Sequence, residues 1–387
     1  MRMKRYYSLI LFPTPILHTE PMSKHICLMA LVWVCLVGCA TVRDPSSVSA
    51  EVAAPASDAT LVTESYVSEE HPADELDSLA AWPRDDGGLW VIGTAKSTHH
   101  LVVFDGDSGE RLREVGSKGI APGQFNRPNG IAVFGDYLFV VERDNHRVQV
   151  LSLPEFRPLT TFGADQLRSP YGLWLHEIAP DELDIYVTDS FMEGKKFDVV
   201  PPLAQLDQRV RRYRVHIGDG DALRVESQGS FGDTSPNAAL RMVESIGGDP
   251  ANDRLLIAEE DTRVGTDLRE YDLAGRYVGK SLAPSRFRAQ AEGVALWDCS
   301  NSQGYWIAVD QANPRTVFLL FDRATLAYRG SFIGTATGHT DGIALHAATT
   351  QRFPSGALFA VHEDKAIAAF DLGDVARSLQ LNPACVR

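Results

Sequence analysis

A short phrase centred on glycine recurs along the chain and constrains the fold more than any other feature. Each copy has a polar residue, then a glycine, then small apolar residues, and in two degenerate copies a serine replaces the glycine. The residues at the position before the glycine are, in chain order, Asp77, Asn129, Tyr171, Glu244, Glu292 and Asp341. Repetition at intervals of about 40–50 residues predicts one structural unit that is used again and again.

Further short apolar runs follow each copy of the phrase. In the third copy the second run is Asp184–Asp189 and the third run is Val210–Arg214. β-Branched and aromatic runs separated by Gly, Asp and Pro are typical of antiparallel strands. The sequence therefore predicts an all-β fold, a six-bladed β-propeller of four-stranded antiparallel blades over residues 76–387. The long interval between the third and fourth copies predicts an insertion within residues 190–208.

The N-terminus has the pattern of an export signal. Lys24 precedes an apolar run over residues 26–37, which is too short to span a bilayer. The run ends in Leu-Val-Gly-Cys at Cys39, which resembles the lipobox of bacterial lipoproteins. We therefore expect residues 1–38 to be a signal peptide, with Met22 as an alternative start, and Cys39 to carry the lipid. No aspartate follows the cysteine, so the resemblance implies an outer-membrane lipoprotein of the cell envelope.

Residues 39–75 are rich in Ala, Ser, Val, Glu and Pro and show no clear period. Such a composition predicts a flexible tether between the lipid and the propeller. Cys299 and Cys385 are the cysteines that remain beyond Cys39. An oxidising envelope permits a disulfide between them, and the sequence leaves a bridge and two free thiols both open.

The formal net charge of −14 disfavours binding to nucleic acid or other polyanions unless cations intervene. The chain has no Gly-X-Ser-X-Gly elbow, Walker loop or dinucleotide fingerprint, which disfavours acyl-transfer, nucleotide and nicotinamide chemistry. Its histidines do not have the spacing of a zinc site. These exclusions leave a monomeric propeller that acts on a small molecule or binds a surface ligand.

Two resemblances extend this interpretation. The second unit, Gly123–Val133 followed by Glu142–Val150, resembles an NHL repeat, which supports the fold and not a chemistry. The C-terminal half resembles the calcium-dependent β-propeller phytases in the order and approximate spacing of Leu256–Asp261, Ala291–Gly293, Ala308–Asn313 and Thr340–Ile343. With Ser169–Gly172 and Asp77, the phytase resemblance spans most of residues 77–371.

The phytase resemblance implies a ring of acids at the tunnel mouth that holds several Ca²⁺ ions. By resemblance, the metal or water ligands are Asp77, Glu244, Glu260, Glu292, Gln311, Asp341 and Glu363. Four of them would carry catalysis, namely Glu260, Glu292, Gln311 and Asp341. The residues that would touch phosphate are Lys96, Arg143 and Tyr171. The implied activity is that of a phosphomonoesterase, in which calcium activates water to attack inositol polyphosphate or a similar phosphoester.

The chain departs from the family pattern at three positions. Ser78 stands where the family has the second of two paired aspartates, and Gln290 stands where it has an acid before Glu-Gly. Ser190 replaces a lysine that would follow the second strand of the third blade. Lys195 and Lys196 in the insertion are the candidate replacements for that cation.

Elementary electrostatics supports a metal site independently of the resemblance. Glu244, Glu292 and Asp341 occupy equivalent positions in the ring, and their carboxylates would repel one another without a cation. Hard oxygen ligands in such number suit Ca²⁺, which takes six to eight. Asp189 and Asp310, at the ends of second strands, are interpreted instead as turn residues.

Two alternatives remain open on the sequence. One is a non-catalytic, NHL-like binding module on the cell envelope that binds an unknown surface ligand. The other is a lactonase-like hydrolase with one central calcium ion, held by Glu244, Asn129 and Asp341.

Overall fold

The computed structural model of the chain describes residues 58–282, 285–299 and 303–386. The predicted signal peptide, residues 1–38, and the predicted lipidation site, Cys39, lie outside these ranges. Among the described residues, no helix is long and apolar enough to cross a membrane.

Strands make up most of the described chain, and helices are short. The strands are β1 (Thr60–Leu61), β2 (Tyr66–Val67), β3 (Leu76–Pro83), β4 (Leu89–Ala95), β5 (His100–Asp105), β6 (Arg111–Val115), β7 (Pro128–Phe134), β8 (Tyr137–Glu142), β9 (Arg147–Ser152), β10 (Arg157–Phe162), β11 (Pro170–Ala179), β12 (Glu182–Asp189), β13 (Val210–Gly218), β14 (Ala222–Phe231), β15 (Val243–Asp249), β16 (Arg254–Glu259), β17 (Asp267–Tyr271), β18 (Tyr277–Leu282), β19 (Ala291–Asp298), β20 (Gly304–Asp310), β21 (Val317–Asp322), β22 (Tyr328–Ile333), β23 (Ile343–His346), β24 (Ala357–His362) and β25 (Ala366–Asp371). The helices are α1 (Leu372–Ser378) and four short 3₁₀ turns at Leu203–Gln208, Asp219–Asp221, Pro250–Asn252 and Pro383–Val386.

The strands form six antiparallel blades arranged in a ring. The first five are β3–β6, β7–β10, β11–β14, β15–β18 and β19–β22, and the sixth is β23–β25 with β2 at its outer edge. The first strand of each blade contacts the first strand of the next, and β23 contacts β3. The predicted six-bladed propeller is confirmed. Closure of the ring leaves no inner sheet edge free to pair with another chain.

The ring is closed by residues that precede the predicted start of the propeller. β2 pairs antiparallel with β25, with Tyr66 opposite Ala369, and β1 pairs parallel with β22. The propeller therefore begins before residue 76, and the predicted tether of residues 39–75 overlaps it. Sequence pattern missed both strands because each is two residues long and pairs with a strand at the other end of the chain.

Apolar side chains of adjacent blades pack face to face. Between the fifth and sixth blades, Phe318 stacks on Phe332 at 4.7 Å between ring centroids, and both rings meet Phe370 at 5.3 Å. Burial of such rings is the main stabilising contribution, at roughly 25 cal/mol per Å² of apolar surface. Leu372 and Val375 of α1 are buried in the same cluster.

A disulfide joins Cys299, after β19, to Cys385 in the last 3₁₀ turn. Of the two alternatives that the sequence left open, the structure has the bridge. It attaches the C-terminal segment to the fifth blade and closes a loop across 86 positions of sequence.

The predicted insertion in the third blade is confirmed as the connection from β12 to β13. Arg209 fastens this connection to the fourth blade and is fully buried. Its guanidinium donates to the carbonyls of Phe191 at 2.6 Å and Arg241 at 2.6 Å. Since β12 ends where β11 begins, the insertion lies on the face where the inner strands start.

Candidate functional site

A bulge interrupts the pairing of the inner strand at the same point in five blades. In the first blade the register passes from Leu76 to Leu79, so that Asp77 and Ser78 both lie opposite Thr94. At the start of β7, β11, β15 and β19, two residues likewise lie opposite one residue of the next strand. Bulges change the direction of side chains beside functional sites. The bulges of this propeller bring together the residues that precede the repeated glycine.

Two threonines hold the bulges of the first and third blades and connect each to the next blade. Thr94 Oγ1 accepts from the N–H of Ser78 at 3.0 Å and donates to the carbonyl of Asn129 at 2.6 Å. Thr188 Oγ1 accepts from Gly172 at 2.8 Å and donates to the carbonyl of Glu244 at 2.6 Å. Sequence reasoning missed these residues, although the signal was available as a threonine at one position of two repeats.

The repeated glycine is needed because neighbouring inner strands nearly touch. A Cβ at Gly130 would lie 2.4 Å from the carbonyl oxygen of Tyr171, and one at Gly172 would lie 2.4 Å from that of Glu244. Backbones this close admit no side chain. The approach narrows the centre of the ring and crowds the preceding polar residues against one another.

Three of the predicted ligands meet in what we term the glutamate cluster, Glu244, Glu260 and Glu292. Each offers a carboxylate oxygen within 4.8 Å of the others. Glu260 and Glu292 are each only 4% exposed. Burial raises the pKa of all three carboxyls well above the usual value, and the neighbouring negative charges raise it further. The three carboxylates therefore need a compensating positive charge to lie together in their ionised form.

One oxygen of the glutamate cluster has no partner. Glu260 Oε1 is buried and has no hydrogen-bond partner in the part of the chain that the structure describes. Its other oxygen lies 3.4 Å from Gln290 Nε2, which donates to it. Leaving a carboxylate oxygen buried and unpaired costs free energy. The oxygen-only donor set and this orphaned atom fit a hard divalent cation such as Ca²⁺.

In the other half of the ring, Lys96 balances part of the negative charge of two aspartates. Its Nζ lies 2.8 Å from Asp341 Oδ2 and 3.0 Å from Asp77 Oδ1. Burial alone would lower the pKa of Lys96, but the two aspartates outweigh it and the pKa is raised. Burial also raises the pKa of Asp341, to about 7, against the opposing effect of Lys96. Asn129 Nδ2 at 3.2 Å and the Tyr171 hydroxyl at 3.3 Å donate to Asp77 Oδ1.

The ring is thus divided, and Tyr171 lies between its halves, since its hydroxyl donates to Asp77 and its proximity opposes the rise that burial causes in the pKa of Glu244. Asp77 and Asp341, predicted as metal ligands, are bound to Lys96 and do not join the glutamate cluster. Lys96, predicted to touch phosphate, is only 7% exposed.

The remaining predicted residues lie outside the glutamate cluster. Gln311 donates its Nε2 to Asp341. Glu363 is exposed, pairs with Lys365 at 2.8 Å, and lines a separate cavity of about 340 Å³ with His339. Arg143 pairs with Asp144 at 2.8 Å and lines a larger cavity beside the insertion.

The acids that end second strands have a structural role. Asp189 accepts from the N–H of Ser169 at 2.7 Å, and Asp310 accepts from that of Ala289 at 2.8 Å. Each thereby ties down the loop that leads into the inner strand of its own blade. This agrees with the interpretation of these residues as turn residues.

The three departures from the phytase pattern all have local partners. Ser78 Oγ donates to Asp77 Oδ2 at 3.0 Å. Ser190 Oγ accepts from the N–H of Val243 at 3.1 Å. Gln290 serves the glutamate cluster as described above, so the amide supplies a donor where the family has an acid.

The larger cavity, of about 710 Å³, was not predicted as a whole. Its walls come from the second blade, the insertion and the loops before β11 and β15, and Tyr171 of the ring also lines it. Sequence reasoning had named Arg143 and Lys196 but missed Arg168, Phe191 and Arg263. These residues lie in loops of different blades and share no repeat position, so no pattern linked them.

One family match agrees with a propeller. The NHL repeat family matches residues 125–151, within the second blade. Similar solved structures include XC5397 from Xanthomonas campestris, described as a gluconolactonase, at 13% identity over 78% of this chain and 87% of that chain with a TM-score of 0.49. Another is regucalcin from Agrobacterium tumefaciens, described as a calcium-binding protein, at 11% identity over 81% and 97% with a TM-score of 0.49. A search of the curated proteins gave no match. Likenesses at such identities concern the fold and not the chemistry.

Proposed function

We propose that this propeller is a calcium-dependent hydrolase whose substrate is a phosphate monoester. The observation that carries the proposal is the glutamate cluster, in which the buried Glu260 and Glu292 meet the half-buried Glu244, and one oxygen of Glu260 has no partner among the described residues. Carboxylates gathered at this distance are stabilised by a cation far better than by protons at neutral pH.

Calcium would be held by Glu244, Glu260 and Glu292. A bound divalent cation lowers the pKa of a coordinated water and polarises a substrate oxygen. Gln290 orients Glu260, and the Tyr171 hydroxyl supports Glu244. Both neighbours restrict the side chains that they contact, so the donor set is preorganised.

A phosphate monoester suits the charges of the cavity that Tyr171 lines. The chain as a whole is acidic, with a formal charge of −14, and repels anions. The cavity that Tyr171 shares with the ring is lined by four cationic and two acidic side chains. An anionic group is therefore attracted to this cavity. Inositol hexakisphosphate, the phytase substrate, is one member of the class, and location in the cell envelope through Cys39 is part of the same proposal.

A lactonase-like reaction is the second candidate. It is favoured by Asn129, whose Oδ1 is fully buried and has no partner among the described residues, so that it offers an oxygen to one central ion. Asp341, the third member of that ligand set, is already engaged by Lys96 and Gln311. The glutamate cluster is thus the better supported metal site.

The test is hydrolysis by the full-length protein, with calcium and with a chelator. Phosphate release from 4-nitrophenyl phosphate and inositol hexakisphosphate is measured beside ring opening of a simple lactone. Calcium-dependent phosphate release that falls at least about 100-fold in Glu292→Gln, but not in the control Glu363→Gln, supports the proposal. Lactone opening alone would replace it with the second candidate, and no turnover of any substrate would leave a binding module.

A further inference from the structure

The cavity beside the insertion combines charge with apolar surface. Its cationic side chains are Arg143, Arg168, Lys196 and Arg263, and its acids are Asp144 and Asp198. Two of the cations are engaged, since Arg143 pairs with Asp144 and Arg263 pairs with Asp261. Within residues 58–282, 285–299 and 303–386, Arg168 and Lys196 have no carboxylate at ion-pair distance. These two charges are available to an anion.

Aromatic and sulfur-containing side chains form the apolar part of the cavity. Phe191 is buried, and its ring centre lies 3.8 Å from the guanidinium carbon of Arg168 and 4.5 Å from that of Arg209. Met242 lines the same wall. Cation–π contacts fix Phe191 in place, so the wall is preformed.

Phe197 is the most unusual member of this wall. Its side chain is 76% exposed, and its backbone has a φ of 53°. An exposed aromatic ring on a left-handed, non-glycine residue has a cost on both counts. The exposure of the ring is removed when it covers an apolar ligand.

We propose that the ligand of this cavity is an organic anion with an apolar group, and hence that the substrate is an aryl or similarly apolar phosphomonoester. This inference rests on the proposed function for the ester bond itself. The phosphate lies toward Tyr171 and the free cations, and the apolar group lies against Phe197 and Met242. A volume of about 710 Å³ is in the range of small-molecule sites. A polyphosphorylated polyol has no apolar surface to bury and carries more negative charge than the cavity neutralises.

The experiment measures equilibrium binding of two phosphonates that cannot be hydrolysed. Benzylphosphonate and methylphosphonate are titrated into the full-length protein in calcium. The benzyl compound is expected to bind at least about tenfold more tightly, because its ring is buried. Phe197→Ala should remove about fivefold of that preference, whereas the matched control Val199→Ala, also exposed in the insertion, should not change it.

Charge is tested in the same titrations. Lys196→Ala should weaken both phosphonates about threefold, and the neighbouring control Lys195→Ala should not. Equal affinity for the two phosphonates, or an unchanged preference in Phe197→Ala, would overturn the inference.

Turnover of phenyl phosphate and glycerol 2-phosphate separates this inference from the proposed function. If neither ester is hydrolysed while the benzyl preference and its loss in Phe197→Ala remain, the proposed hydrolysis fails and the ligand class stands. If both esters are hydrolysed equally well and the phosphonates bind equally, the hydrolase stands and the ligand class is wrong.

Discussion

Replacing Glu292 by glutamine should make the calcium-free protein more stable at neutral to alkaline pH. The amide keeps the shape of the side chain and removes one of three charges in the glutamate cluster. This outcome is unusual for a buried polar residue, because most substitutions of that kind destabilise.

The magnitude follows from the distances in the cluster. Two carboxylates within 4.8 Å repel by roughly 3–4 kcal/mol at an effective dielectric constant of about 20. The wild-type protein escapes part of this repulsion by holding protons, so the net gain is expected to be about 1–3 kcal/mol. For a domain of this size that corresponds to about 2–6 °C in Tm.

The sign of the pH dependence is fixed by the raised pKa values. The folded protein holds protons on Glu244, Glu260 and Glu292 that the unfolded chain releases above about pH 4.5. This contribution is fully present below that pH and is lost as pH rises through the folded pKa values. The Glu292→Gln variant should therefore equal wild type near about pH 5 and exceed it near about pH 8 when calcium is absent.

Thermal unfolding is measured at both pH values with a chelator and with excess calcium. Wild type should gain about 2.7 kcal/mol at a calcium concentration 100-fold above Kd, and the variant should lose most of this gain. Glu363→Gln is the control, since its acid is exposed and pairs with Lys365. A variant that is less stable than wild type without calcium, and that keeps the full calcium shift, would refute the reasoning.

Three further predictions concern the frame around the site. Lys96→Met should destabilise the protein by about 3–5 kcal/mol in thermal unfolding, since the buried Asp77 and the half-buried Asp341 lose their cation. An unchanged Tm would mean that the two aspartates bind protons without loss of stability. Cys385→Ser should cost about 2–5 kcal/mol, and reduction of wild type should lower Tm to the same value if the bond to Cys299 is the cause. A chain that starts at residue 69 lacks β1 and β2, which leaves the outer edges of the fifth and sixth blades uncovered. It should elute partly as oligomers in size-exclusion chromatography. A stable monomer would mean that β1 and β2 are not needed to protect these edges.

The propeller was predictable because its pattern is local and repeated. Alternation of apolar residues defines each strand, and the recurring phrase defines the start of each inner strand. The closing strand β2 was not predictable in this way. Its two residues, Tyr66 and Val67, carry no period, and their partners in β25 lie about 300 positions away.

The site was predicted in part. The position before the repeated glycine identified Glu244, Glu292 and Asp341 together. The structure brings the two glutamates into one cluster with Glu260. It places Asp341 with Lys96 instead. Residues at the same position of successive repeats are expected to lie in one ring. The repeat does not show which of them pair with a cation such as Lys96.

The number of blades, the inner three strands of each and the residue that each inner strand presents to the centre could be read from the repeat. These properties depend on contacts within a blade or between consecutive blades, which a repeat encodes at fixed spacing. Tertiary structure alone decided the closure of the ring, the division between Lys96 and the glutamate cluster, and the cavity beside the insertion. Each of these depends on side chains far apart in the chain, such as Lys96 and Asp341 at a separation of 245 positions. No local pattern records such a pairing, because its free energy exists only once the ring has closed.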